Sequence, residues 1–284
     1  MRTAEYRALK AASGSTGSTV EPGTKENRSG LSRRKFLGQA GAATLAGAMA
    51  AGGGLRLLSS VEAQGGEDQE LAKHQWVMVI DLRRCDGCGL CEKACQSMHH
   101  LSEDQEWLKI YKMKDSAGGT YFMPRPCMQC ENAPCLKVCP VGATYKVPDG
   151  VIVVDQSKCI GCRMCMAACP YDARYFNWGD PPPAPNVIGK PQPEFPVPQQ
   201  KGTVGKCILC VHNTRYGKLP GCVASCPMHA LYIGDLKTDL ATDGVETVKL
   251  SELLNGNHVV RYKESLGTRP RVYYILGHGQ TLDG

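Results

Sequence analysis

The sequence predicts an α+β fold: short strands and short cysteine-bearing helices, joined by loops and broken by one Pro-rich insertion. Three observations lead there. Sixteen cysteines in 284 residues fall into four quartets. Two β-branched runs, Trp76–Leu82 (WVMVIDL) and Val151–Asp155 (VIVVD), each lead into a quartet. The third is a modest apolar content, 42% hydrophobic and 6% aromatic residues, which leaves metal sites to supply much of the cohesion.

In chain order, residues 1–63 read as an export leader. Residues 11–30 are polar and Gly/Ser/Thr-rich, a composition that buries too little apolar surface to fold. The segment SRRKFL (Ser32–Leu37) then precedes an uncharged Ala/Gly-rich run from Phe36 to Leu55. Paired arginines before such a run resemble the twin-arginine export signal, and Val61-Glu62-Ala63 offers a cleavage site. An uncleaved anchor is the competing reading, but the run is weakly hydrophobic for a membrane span. Nine Lys/Arg and four Asp/Glu lie in this leader, so the formal charge of +6 becomes only +1 beyond it. That removes the argument for a nucleic-acid partner.

The quartets are Cys85/Cys88/Cys91/Cys95, Cys127/Cys130/Cys135/Cys139, Cys159/Cys162/Cys165/Cys169 and Cys207/Cys210/Cys222/Cys226. The first and third have the spacing C-x2-C-x2-C-x3-C; the second widens the middle gap to four residues and the fourth to eleven. Pro140, Pro170 and Pro227 follow the last cysteine of three quartets, where a fixed φ and a missing donor end a short helix. Gly87 and Gly161 let their C-x-G-C turns curl and aim N–H groups at sulfur; the second and fourth quartets lack this glycine, so their turns are expected to differ. Val147-Pro148-Asp149-Gly150 signals a turn before the second strand. The stretch 181–200, with eight prolines, excludes helix and central strand; it reads as a solvated linker or a segment lying along a partner. Beyond Asp235, a helix over Val248–Leu254 and a strand over Arg271–Leu276 are expected, capping the fold or meeting a partner.

Disulfide frameworks do not repeat one tight spacing four times, and zinc ribbons draw two ligands from each side of a longer loop. Consecutive C-x2-C steps deliver three thiolates from one curled loop to a larger object. This is the bacterial ferredoxin signature for a cuboidal iron–sulfur cluster. Cys91 and Cys95, one helical turn or roughly 5–6 Å apart, can then serve two different clusters. By spacing alone, neighbouring quartets could pair, or the pairing could be nested.

The motifs CDGCGLCEKAC, CMQCENAPCLKVCP, CIGCRMCMAACPYDARYFNW and KCILCVHNTRYGKLPGCVASCP, with IGD at Ile233–Asp235, resemble the four-cluster iron–sulfur (beta) subunits of the DMSO reductase family. That family includes the subunits of tetrathionate, polysulfide and DMSO reductases, with relatives in nitrite-reducing and sulfur-metabolising membrane complexes. The resemblance runs from about His74 to Asp235. It implies a nested ligand set for four [4Fe–4S] clusters. Cys85, Cys88 and Cys91 would take Cys226, and Cys207, Cys210 and Cys222 would take Cys95. Cys127, Cys130 and Cys135 would take Cys169, and Cys159, Cys162 and Cys165 would take Cys139. It further implies two interleaved ferredoxin-like dicluster modules, an outer one over 64–122 plus 201–235 and an inner one over 123–180. The linker over 181–200 and a C-terminal extension over 236–284 complete the division.

Three other features carry weaker expectations. His99 and His100 read as a solvated pair; Tyr175 and Trp178 either shield a cluster or pack locally. Arg125, Arg163 and Arg174 read as surface charges that dock an acidic partner or keep the surface soluble.

The function that the family resemblance implies is non-catalytic electron transfer between a polytopic quinone-interacting membrane subunit and a catalytic, molybdopterin-containing subunit. The leader implies export in the folded state to the outer, periplasmic face of the membrane, with attachment through a partner. The alternatives are a wire in a quinone-coupled sulfur-metabolism complex without a molybdopterin subunit, a free periplasmic carrier, and a zinc-binding interaction protein.

Overall fold

A computed structural model describes residues 68–187 and 189–282, so the leader expected over 1–63 lies outside the described residues. The fold is organised by β1 (Trp76–Asp81), whose residues from Val77 to Asp81 are all buried. Both faces are used, as expected of a near-continuous apolar run. Met78 and Ile80 point toward a core that contains the cysteines, whereas Val77 and Val79 join Tyr232, Ala241, Leu250 and Ile275 on the opposite side.

β1 is hydrogen-bonded on both edges. β8 (Leu231–Asp235) pairs with it antiparallel, with Met78 opposite Ile233, and β12 (Val272–Ile275) pairs parallel, with Val79 opposite Tyr273. With β9 (Leu240–Thr242), β10 (Thr247–Lys249) and β11 (Val259–Val260) they form a six-stranded sheet ordered β10-β9-β8-β1-β12-β11. The cysteine-free C-terminal segment thus completes the sheet and caps it with a helix over Leu250–Asn255. The helix expected from Val248 starts later because Thr247–Lys249 is held as an edge strand against β9.

Three two-stranded hairpins carry the rest: β2–β3 (Leu108–Lys114 with Thr120–Pro126), β4–β5 (Thr144–Lys146 with Ile152–Val154) and β6–β7 (Tyr175–Phe176 with Val204–Gly205). The expected turn before β5 forms, with Gly150 N–H donating to the Val147 carbonyl at 2.8 Å. The cysteine-bearing helices are short. Only the first, Leu90–His99, exceeds two turns; Pro134–Lys137, Met164–Ala167 and Gly221–Ala224 are single turns that stop just before a ligand-spaced cysteine and its proline.

The Pro-rich stretch is more structured at its end than a solvated linker. Pro196, Val197 and Gln199 are buried, Gln156 Nε2 donates to Gln199 Oε1 at 2.6 Å, and Gln200 N–H donates to Gln156 Oε1 at 2.9 Å. Phe195 packs on His212 with ring centroids 4.4 Å apart. Glutamine amides at 156 and 199 fasten backbone that proline leaves without donors of its own. Among the described residues no helix is long and apolar enough to cross a membrane.

Candidate metal centres

All sixteen cysteines are free thiols, and they gather in four groups. Each group takes three sulfurs from one quartet and its fourth from another. Cys226 faces Cys85 and Cys91, beside Cys88. Cys95 faces Cys207, Cys210 and Cys222. Cys169 faces Cys127 and Cys130, next to Cys135. Cys139 lines one cleft with Cys159, Cys162 and Cys165.

The cross-over has a local cause. Cys91 and Cys95 lie on one face of the Leu90–His99 helix, which packs against Gly221–Ala224. Gly221 lies at that contact, where a Cβ would meet the tip of the Met98 side chain at 2.9 Å. The groups also abut in order. Cys91 of the first neighbours Cys222 of the second, Cys207 of the second neighbours Cys127 of the third, and Cys135 of the third neighbours Cys165 of the fourth. The middle of this row is largely enclosed: Cys95, Cys207, Cys210, Cys222, Cys127, Cys130 and Cys135 are buried, and Cys169 is half-buried. Exposure occurs at its ends, at Cys88 and Cys162.

Backbone N–H groups converge on the sulfurs. Ala230 N–H donates to Cys226 Sγ at 3.4 Å. Gly87, Gly221 and Val223 donate to Cys85, Cys210 and Cys222. The residue before the second cysteine has positive φ in every quartet: Gly87 77°, Gln129 46°, Gly161 69° and Leu209 50°. The turns expected to differ for want of glycine therefore adopt the same left-handed conformation. Side chains hold them there. Gln129 is fully buried, donating from Nε2 to the Cys207 carbonyl at 2.7 Å and accepting from Ile152 N–H at 2.9 Å. Leu209 is buried in the core.

Three polar side chains were invisible as site components in the sequence. His99, expected to be solvated, is 1% exposed; its Nε2 lies 3.4 Å from Cys210 Sγ, and its ring lies 4.8 Å from that of Trp107. Burial, with His212 and His100 adding, holds its pKa down to about 3, so the ring is neutral. Arg174, expected on the surface, is 2% exposed and faces Cys135, Cys165 and Cys127. Lys206 is equally buried, its Nζ donating to the carbonyls of Cys207 (2.8 Å) and Ile152. A lysine or arginine beside cysteines reads as surface in any one-dimensional pattern; only strands brought from elsewhere cover it. Arg163 does remain at the surface, over Trp178 at 4.8 Å, and Trp178 is exposed rather than a buried shield. Tyr175 is half-buried.

The donor chemistry fits a cationic metal core. Burial pushes the thiol of Cys85 up to about 11 and those of Cys91, Cys130 and Cys210 to about 12, neighbouring cysteines adding to the shift. Such thiols stay protonated near neutrality unless a bound metal displaces the protons. Protonated, they would also leave the Arg174 guanidinium buried with no carboxylate to balance it and its Nη2 without a hydrogen-bond partner. Thiolates around iron would balance that charge.

Fold and site together define a ferredoxin-type iron–sulfur protein. The 4Fe-4S dicluster domain family matches three times, over residues 84–143, 119–181 and 151–227. A subunit of the selenate reductase of Mesobacillus selenatarsenatis is 41% identical, over 71% of this chain and 72% of that protein. The iron–sulfur cluster-binding subunit of the menaquinone reductase of Nitratidesulfovibrio vulgaris is 34% identical, over 72% of this chain and 89% of its own length. A subunit of the tetrathionate reductase of Salmonella typhimurium is 31% identical, over 86% of this chain and 88% of that protein. The chain belongs to the iron–sulfur (beta) subunits of the DMSO reductase family.

Proposed function

We propose that the chain is the electron-transfer subunit of an exported respiratory oxidoreductase. It would relay electrons between a quinone-interacting membrane subunit and a catalytic subunit, the latter containing molybdopterin. The reading rests above all on the row of four cysteine groups, buried in its middle and exposed at both ends. Each group would hold one [4Fe–4S] cluster with the ligands named above, in two interleaved dicluster modules. When bound, such a cluster takes up and gives back one electron. The chain's own residues space the groups, exclude water from the middle pair and set potentials through N–H donors and burial.

Exposed apolar side chains adjoin both ends. Leu90 and Met228 lie close in sequence to Cys88 and Cys226; Val141 and Ile160 line the cleft of the fourth group, and Met164 lies beside Cys165. Two docking faces suit a relay better than a free carrier, which needs one. No substrate chemistry is assigned to this chain, since its cysteines are committed to ligation. The leader would place the complex at the outer face of the membrane, held there by its membrane partner. The names of the selenate, tetrathionate and menaquinone reductase relatives support a reductase complex of this kind.

The test is gentle isolation from native membranes, with identification of every chain that travels along. A large molybdenum-containing chain and a polytopic membrane chain are expected. A membrane chain with cytochromes and no molybdenum would replace the catalytic partner with a sulfur-metabolism type of complex. Recovery of this chain alone, or with zinc in place of iron, would end the proposal.

A further inference from the structure

Arg174 and Lys206 are the only arginine and lysine fully buried among the described residues, and they are placed differently. Lys206 Nζ is satisfied by two backbone carbonyls. The Arg174 guanidinium donates from Nη1 to Thr144 Oγ1 at 3.2 Å, while Nη2 is buried with no hydrogen-bond partner. Thr144 belongs to β4, paired with β5 (Thr144 opposite Val154), so the guanidinium is anchored to rigid backbone rather than to a loop. Its charge falls where the third and fourth groups meet, against Cys135 of one and Cys165 of the other.

We propose that Arg174 is a fixed positive charge shared by the groups at Cys127/Cys130/Cys135/Cys169 and Cys159/Cys162/Cys165/Cys139, and that it raises the reduction potential of both. The proposal rests on those groups being cluster ligands. Its physical basis is simple. Reduction adds one negative charge to a buried site, and a nearby cation in a low dielectric favours the reduced form. Arginine suits this role because it stays charged when buried. The cysteines that face Arg174 belong to the third and fourth groups only, and the buried Lys206 beside Cys207 and Cys127 is common to the wild type and to every Arg174 variant, so it drops out of the comparison. One residue thus makes the Cys162 end of the row more oxidising than the N–H donors alone would.

The experiment uses the full chain in its native complex, with chemical iron analysis and an EPR-monitored redox titration. Arg174→Gln and Arg174→Met remove the charge, the second keeping the apolar bulk; Arg174→Lys keeps it. With iron retained, two of the four signals should fall by at least tenfold in the one-electron equilibrium, about 59 mV. The other two should stay in place, and Arg174→Lys should recover most of the loss. Unmoved potentials overturn the proposal, as does an equal shift for Lys, Gln and Met, which would make the effect one of packing. If Gln and Met lose iron, Arg174→Lys decides: retained iron shows that the charge is required, and lost iron makes the residue structural and removes the proposal. Wild-type protein lacking iron would instead remove the ligand reading beneath it, whatever the variants do.

Discussion

At the level of single residues, the four left-handed turns show how one backbone need is met in two ways. At Gly161 a Cβ would overlap the Gly202 carbonyl oxygen, an approach that backbone cannot yield cheaply. Gly161→Ala should therefore cost clearly more than the ~1 kcal/mol of a left-handed alanine, and strip iron from the neighbouring group. Gly118→Ala, at φ 84° with open space around it, should cost only that conformational penalty. Iron content and thermal melting of the two variants check the contrast. Cys95→Ser should disturb the spectrum of the group at Cys207/Cys210/Cys222 and spare that at Cys85/Cys88/Cys91; the reverse outcome would contradict the crossed ligand set. The glycine turns were legible in the sequence because glycine announces positive φ. Gln129 was not, because what holds it in that conformation is a carbonyl at 207 and an N–H at 152.

At the level of elements, β1 was readable from its apolar run, but its partners were not. β8 and β12 lie more than 140 residues away in sequence, and nothing local in WVMVIDL distinguishes a parallel from an antiparallel neighbour. The turn carrying Asp149 is tied to the fourth quartet's loop by a partly buried ion pair, Arg215 Nε to Asp149 Oδ2 at 2.9 Å. Asp149→Asn leaves that guanidinium only Glu194, 3.8 Å away, as an acidic partner and should cost about 1.5–3 kcal/mol, measured by chemical denaturation.

At the end of β8, burial raises the Asp235 carboxyl, but donors from Lys237 N–H, Gln75 N–H, His74 and Thr238 outweigh it and hold the pKa below its usual value. A carboxylate depressed in the folded state adds stability above the unfolded pKa of about 3.9 and loses it as pH falls through the folded value. Asp235→Asn should accordingly destabilise the protein at neutral pH and flatten the acid limb of its stability profile.

At the level of the whole molecule, the quartets marked in advance the stretches of chain whose cysteine sulfurs gather in the structure. Spacing alone left their pairing open between neighbouring and nested schemes. Packing brings the first and last quartets together, which spacing could not show: the Leu90–His99 helix lies on Gly221–Ala224, and β1 lies between strands from the far half of the chain. His99 and Arg174 escaped the sequence reading for the same reason, since their burial is supplied by segments distant in sequence. Purified protein should be brown and hold about sixteen irons if every group carries a cubane. A value near twelve would correspond to one empty group.

The crossed arrangement also sets a timetable for biosynthesis. A chain emerging from the ribosome has all eight sulfurs of the third and fourth groups once Cys169 has appeared. Cys85, Cys88 and Cys91 must wait a further 57 residues beyond that point for Cys226. For that interval they are an oxidisable trio without the thiol that faces them, and with the proposed ligand set a cysteine made late would govern when the first-made site is filled.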